Sequence, residues 1–111
     1  MKTKILALLT VLIATVCLTG CQTVDVTKTA KGFHAPTNPN DVEILMTKPD
    51  RAYEELGTID AVKFRPSDTA KMYNAIRAKA APLGANAVVL TGVGIAQNGK
   101  QYAIGVAIVW K

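Results

Sequence analysis

Two long apolar runs, Ala87 to Ile95 and Tyr102 to Trp110, flank the short polar stretch Gln97-Asn98-Gly99-Lys100. Runs this rich in Val, Ile and Gly, separated by Asn-Gly, constrain the chain to an antiparallel hairpin. A two-residue type I′ turn centred on Asn98-Gly99 predicts the register Ile95 to Tyr102, Val93 to Ile104, Thr91 to Val106 and Val89 to Ile108. On the other face Gly92 then opposes Gly105 and Gly94 opposes Ala103. One face is bulky and the other nearly smooth. A smooth strip lets a helix approach closely or offers a partner a docking strip, and the helix is the simpler use.

Upstream, Val42 to Thr47 predicts a first strand, closed by the turn cluster Lys48-Pro49-Asp50. Tyr53 to Phe64 predicts a longer second strand with broken alternation. Tyr53 and Ile59 share one parity, while Leu56, Val62 and Phe64 take the other, so Gly57 is the expected bulge. Arg65-Pro66-Ser67-Asp68 starts a helix, with Ser67 as cap and Asp68 at its positive end. Met72, Ile76, Ala80 and Leu83 recur on one side, with Lys71, Asn74 and Arg77 opposite. Pro82 distorts the last turn and Gly84 closes it. The predicted order is β-β-α-β-β: an α+β fold with one helix on an antiparallel-rich sheet, over residues 42–111.

The first 20 residues belong to a different class of signal. Lys2 and Lys4 precede twelve mostly apolar residues, Ile5 to Val16. This is the length of a signal-peptide core and too short to span a bilayer as a helix. Leu18-Thr19-Gly20-Cys21 follows directly and resembles a lipobox, with Leu18 three residues before Cys21 and small Gly20 beside it. Cleavage before Cys21 removes residues 1–20. A thioether-linked diacylglycerol on Cys21 then anchors the chain, because each buried methylene contributes about 0.8 kcal/mol and two or three acyl chains hold stably. Gln22 follows the anchor, where an Asp is the inner-membrane retention signal of some envelope systems. Outer-membrane attachment with the domain in the periplasm is the expectation. Residues 21–41 carry Thr, Lys, Gly, Asn and two prolines, and are expected to be a flexible tether, with a short strand at Val24 and Val26 as the alternative.

Composition narrows function further. Of 111 residues, 13 are basic and 8 acidic, and loss of Lys2 and Lys4 brings the net charge from +5 to about +3. No basic run appears, so nucleic acid is not an expected partner. Cys17 leaves with the signal and Cys21 is consumed by lipid, so no disulfide is expected. Ser67 is the sole serine and His34 the sole histidine. His34 stands in the tether and Ser67 at a helix cap, so no Ser/His or Cys/His arrangement is available. Glu54 and Glu55 are adjacent on a strand and point to opposite faces. Gly92-Val93-Gly94 lacks the third glycine and the following helix of a dinucleotide loop. The expectation is a protein without catalytic residues, metal or cofactor.

Tyr53-Glu-Glu-Leu-Gly-Thr-Ile-Asp-Ala61, the helix, Gly84-Ala-Asn-Ala-Val-Val-Leu90 and Ala103-Ile-Gly-Val-Ala-Ile108 together resemble the core of the RcsF-like outer-membrane lipoproteins, stress sensors of an envelope phosphorelay. The resemblance extends more distantly to YbjQ-like domains. It covers about the last 60 residues. It implies an envelope module that binds a protein partner or senses stress, or, as in the ring-forming YbjQ-like domains, a structural lipoprotein that associates with itself. The sensor's domain is cross-linked by disulfides, which this chain does not have, so the fold is what the resemblance implies most directly.

Overall fold

A computed structural model describes residues 22–111. Five strands and one helix form a two-layer α+β domain. The strands are β1 (Thr23–Lys28), β2 (Glu43–Leu45), β3 (Tyr53–Phe64), β4 (Ala87–Ile95) and β5 (Gln101–Trp110), with α1 (Thr69–Ala80) between β3 and β4. The spatial order is β1-β3-β5-β4-β2. Pairing is antiparallel except at β2, which runs parallel to β4 from Glu43 opposite Ala87 to Leu45 opposite Val89. The expected α+β class holds. The sheet is mixed and gains a strand upstream of those anticipated.

That strand lies in the expected tether. Thr23–Lys28 pairs along its whole length with β3, Thr23 opposite Val62 and Lys28 opposite Gly57. Val24 and Val26 pack against the core while Asp25 and Thr27 face solvent, a period-two pattern that residue-by-residue polarity had masked. The remainder of the segment is strapped down too. Thr29 and Ala30 donate their N–H groups to Leu56 O, and Thr37 donates its N–H to Ala81 O and its hydroxyl to Ala85 O at 2.6 Å. Asn38 caps a single 3₁₀ turn, Pro39–Asp41. Of the flexible tether expected over 21–41, the described part, 22–41, is corrected to a strand and a strap, whose backbone groups find partners in the sheet and beside the helix end.

Two bulges explain the uneven parity of β3. Register shifts fall between Glu55 and Gly57 and between Ala61 and Phe64. The first inserts Leu56, so that Leu56, Ile59 and Ala61 all reach one core. Gly57 itself makes room for β1: a Cβ there would sit 2.6 Å from Thr27 O.

The helix begins later than expected. Pro66–Asp68 forms a 3₁₀ turn, neither Ser67 nor Asp68 caps with its side chain, and Thr69 Oγ1 bonds Pro66 O instead. Ala81–Leu83, containing Pro82, tightens into a 3₁₀ turn that Gly84 closes at φ 88°. Met72, Ile76 and Ala80 are buried against the sheet as expected. Arg77 is not a freely solvated charge: its Nε donates to Val42 O at 3.0 Å, tying the helix to the start of β2.

The hairpin forms with a different turn. Ala96 N bonds Lys100 O, Gly99 N bonds Ala96 O, and Gly99 alone in the loop has positive φ, at 77°. This is a three-residue type I turn with a glycine bulge, since type I′ requires positive φ at Asn98 as well. The register moves by one, placing Ile95 opposite Gln101 and Gly94 opposite Tyr102. A further shift between Leu90 and Gly92 moves it by one more, so Leu90 opposes Gly105. Gly92 and Gly94 therefore leave the face of Gly105.

If β1 belongs to the folding unit, Gly57→Ala should lower stability by about 1–3 kcal/mol, the ordinary cost of overpacking. Urea unfolding reads the loss, and hydrogen exchange should show lost protection over Thr23–Lys28. A neutral outcome would return that segment to the status of a tether.

Candidate functional site: an open sheet face and a free edge

Leu18, Thr19, Gly20 and Cys21, the expected processing and lipidation residues, lie outside the described residues. The described residues begin at Gln22.

Strand β5 is central and has two unlike faces. Ala103, Gly105 and Ala107 lie on the helix side, and the two alanines are completely buried. A Cβ at Gly105 would lie 2.7 Å from Val88 Cγ1 and 3.2 Å from Leu90 Cδ2. The small residues thus admit β4 side chains leaning in beneath the helix, and this strip is occupied by the protein itself.

The other face carries Tyr102, Ile104, Val106, Ile108 and Trp110, and no helix covers it. Ile108 is fully buried, whereas Ile104 is 43% exposed. Protection at the Trp110 end comes from the chain between β2 and β3, where the Arg51 guanidinium lies 4.8 Å from the Trp110 ring centroid. Asn86 Oδ1 accepts from Trp110 N, and Ala52 O accepts from Lys111 N, fixing this end of the sheet. A shallow groove of about 150 Å³ runs here, lined by Lys48, Tyr53, Glu55, Val89, Thr91, Val106 and Ile108. Apolar floor and charged rim suit a side chain or a short extended peptide.

Beside the groove, β4 has a free edge. Its pairing with β2 ends at Val89, so Leu90 to Ile95 have no strand neighbour on that side among the described residues. Val93 and Ile95 are exposed there, at 42% and 57%. Tyr102 lies over Gly94, its hydroxyl 2.9 Å from where a Cβ would be, which flattens the surface beside the edge. An edge of unpaired N–H and C=O groups beside apolar side chains is the structural requirement for strand addition. The hydrophobic pattern places Val93 opposite Ile104; the extra residue of the β4–β5 turn moves Val93 opposite Ala103 instead.

Other candidate residues fall as follows. Glu54 and Glu55 take opposite sides, as their adjacency implies: Glu55 lines the groove, and Glu54 Oε2 lies 3.5 Å from His34 Nε2. His34 is thus half-buried beside a carboxylate rather than solvated in a linker. Asp25 and Asp60 stand opposite each other across β1 and β3. Among the described residues no group of three His, Cys, Asp or Glu could hold a metal ion, and no helix is long and apolar enough to cross a membrane.

No protein-family model matches the sequence, and no curated protein matches it. Among solved structures, the crystal structure of a Francisella virulence factor, FvfA, in its orthorhombic form superposes with a TM-score of 0.63 over 78% of this chain and 97% of that chain, at 14% identity. The similarity extends to the fold.

Since Val93 and Ile104 are solvent-facing, Val93→Lys and Ile104→Lys should each change unfolding free energy by no more than about 0.5 kcal/mol. Thermal melts followed by circular dichroism check this. A large loss would mean that the substituted side chain is internal to the fold.

Proposed function

We propose that this protein is an outer-membrane lipoprotein, held by acyl chains on Cys21, whose domain is a non-catalytic protein-binding or stress-sensing module in the periplasm. The observation that carries the reading is Leu18-Thr19-Gly20-Cys21 behind a basic and apolar leader, one residue before a folded domain. The resemblance to RcsF-like lipoproteins supports it. So does an apolar sheet face with a free strand edge, a surface suited to a partner chain.

Labelling of the full chain with radioactive palmitate tests the anchor. The wild type should take up label and sediment with the outer membrane, while Cys21→Ala should remain unlabelled precursor. Mature Cys21→Ala protein in the outer-membrane fraction would refute the anchor. For the module, a photo-crosslinker at Val93 in intact envelopes should trap a specific partner; capture only of abundant neighbours, in proportion to their abundance, would reject it.

Self-association is the second reading, favoured by the free β4 edge and implied by the YbjQ-like resemblance. Light scattering of residues 22–111 should then give a defined oligomer that Val93→Lys dissolves. A strict monomer at high concentration rejects it.

A further inference from the structure

Far from the groove, at the opposite end of the sheet, four cations meet that sequence holds apart. Lys63 is the penultimate residue of β3, Arg65 leads into the helix, Lys71 lies in its first turn, and Lys100 closes the β4–β5 hairpin. They line a cavity of about 630 Å³ together with Gln22, Asn98 and a single carboxylate, Asp68. None of the four forms an ion pair among the described residues. Concentrating like charges in one concavity raises the folded state's energy through self-repulsion, which an anion relieves. Lys63 adds a second cost. It is the one non-glycine among the described residues with positive φ, 66°, set by the second bulge of β3. A strained lysine held at a basic, largely polar cavity is a local arrangement without a structural return of its own.

We propose that this cavity binds the phosphate of an anionic phospholipid headgroup in the membrane that carries the anchor. The inference rests on the lipoprotein reading. Gln22 lines the cavity, so the chain enters the domain at this end, and two residues from Thr23 back to Cys21 span at most about 7 Å. A lipid-bearing Cys21 therefore brings the basic end to the headgroup layer. Lysine ammonium groups act there as point charges toward phosphate, and Arg65 adds a planar fork able to bond two oxygens. Three or four such charges at an anionic surface supply a second attachment alongside acyl chains and fix which end of the domain faces the membrane.

The test uses residues 22–111, which contain all five strands, the helix and their common core and, lacking Cys21, carry no lipid. Cosedimentation with vesicles of phosphatidylcholine alone should show negligible binding, and with one-third phosphatidylglycerol clear binding that salt reverses. Lys63→Gln with Lys100→Gln should weaken binding by about 25-fold, roughly fivefold per charge. Lys79→Gln with Lys111→Gln removes the same net charge away from the cavity and should change it less than about twofold. Equal losses from the two double variants would overturn the proposal, as would equal binding to both vesicles. Saturation by millimolar inorganic phosphate without any vesicle binding would make the ligand a soluble phosphate and also overturn it. Because Cys21 is absent from this protein, palmitate labelling of the full chain reports on the anchor separately.

Discussion

The molecule depends on the unequal faces of β5. On one side Ala103, Gly105 and Ala107 leave a trough that Val88 and Leu90 fill from β4, with Ile59 in the neighbouring strand and Met72 and Ile76 in the same buried cluster. Gly105 has no alternative here, since even a methyl would press on Val88 and on the β4 backbone. On the other side the same strand carries Tyr102, Ile104, Val106, Ile108 and Trp110. Only the Trp110 end of that row is covered, by the β2–β3 connection with Arg51 over the indole. Core and open face are thus two consequences of one period-two pattern.

Much of this was legible because strong signals act locally. The span of β3, the amphipathic helix, its end at Pro82 and Gly84, and the existence of the hairpin all follow from short-range chemistry. What was not legible depends on distant partners or on fine turn geometry. Asn98-Gly99 suits a type I′ turn, but positive φ at Gly99 alone satisfies a type I turn with a bulge, and one residue of loop length shifts every cross-strand pair. Strand β1 is short and polar on its outer face, so Val24 and Val26 acquire meaning only when β3 lies beside them. Ser67 has the chemistry of a cap, yet Pro66 drives a 3₁₀ turn that places the helix start beyond it. Within the site, the free edge arises because β2 is only three residues long, and the basic cavity because four separated cations share one end. Neither has a linear motif.

The absence of a disulfide from the described domain has a physical counterpart in how the N-terminal segment is used. A domain of this size has a small core, and cross-links are one means of limiting its unfolded ensemble. Here the segment before β2 crosses from one sheet edge to the other. It pairs as β1, bonds Leu56 O through Thr29 and Ala30, and is pinned at Thr37 before joining β4 through β2. Both outer strands thus come from one continuous stretch, so loss of either edge releases the strap and exposes Val24, Val26 and Ile44 together. Cooperativity comes from connectivity as well as from packing.

Connectivity also sets orientation. The chain enters at the basic end, where β1 and β5 begin and β3 and β4 finish. Strand β5 then runs ten residues to Trp110, about 30 Å at 3.3 Å per residue. On the proposed anchoring, cations lie against headgroups while the groove beside Tyr53, Val106 and Ile108 projects toward the periplasm. The free stretch of β4 lies between those ends, along the side of the sheet. A partner reaching it by strand addition would run alongside β4, across the direction of the membrane normal only where the sheet tilts. Attachment at one end therefore leaves the open face and its edge accessible along their length, a geometry that a flexible tether of twenty residues would not fix.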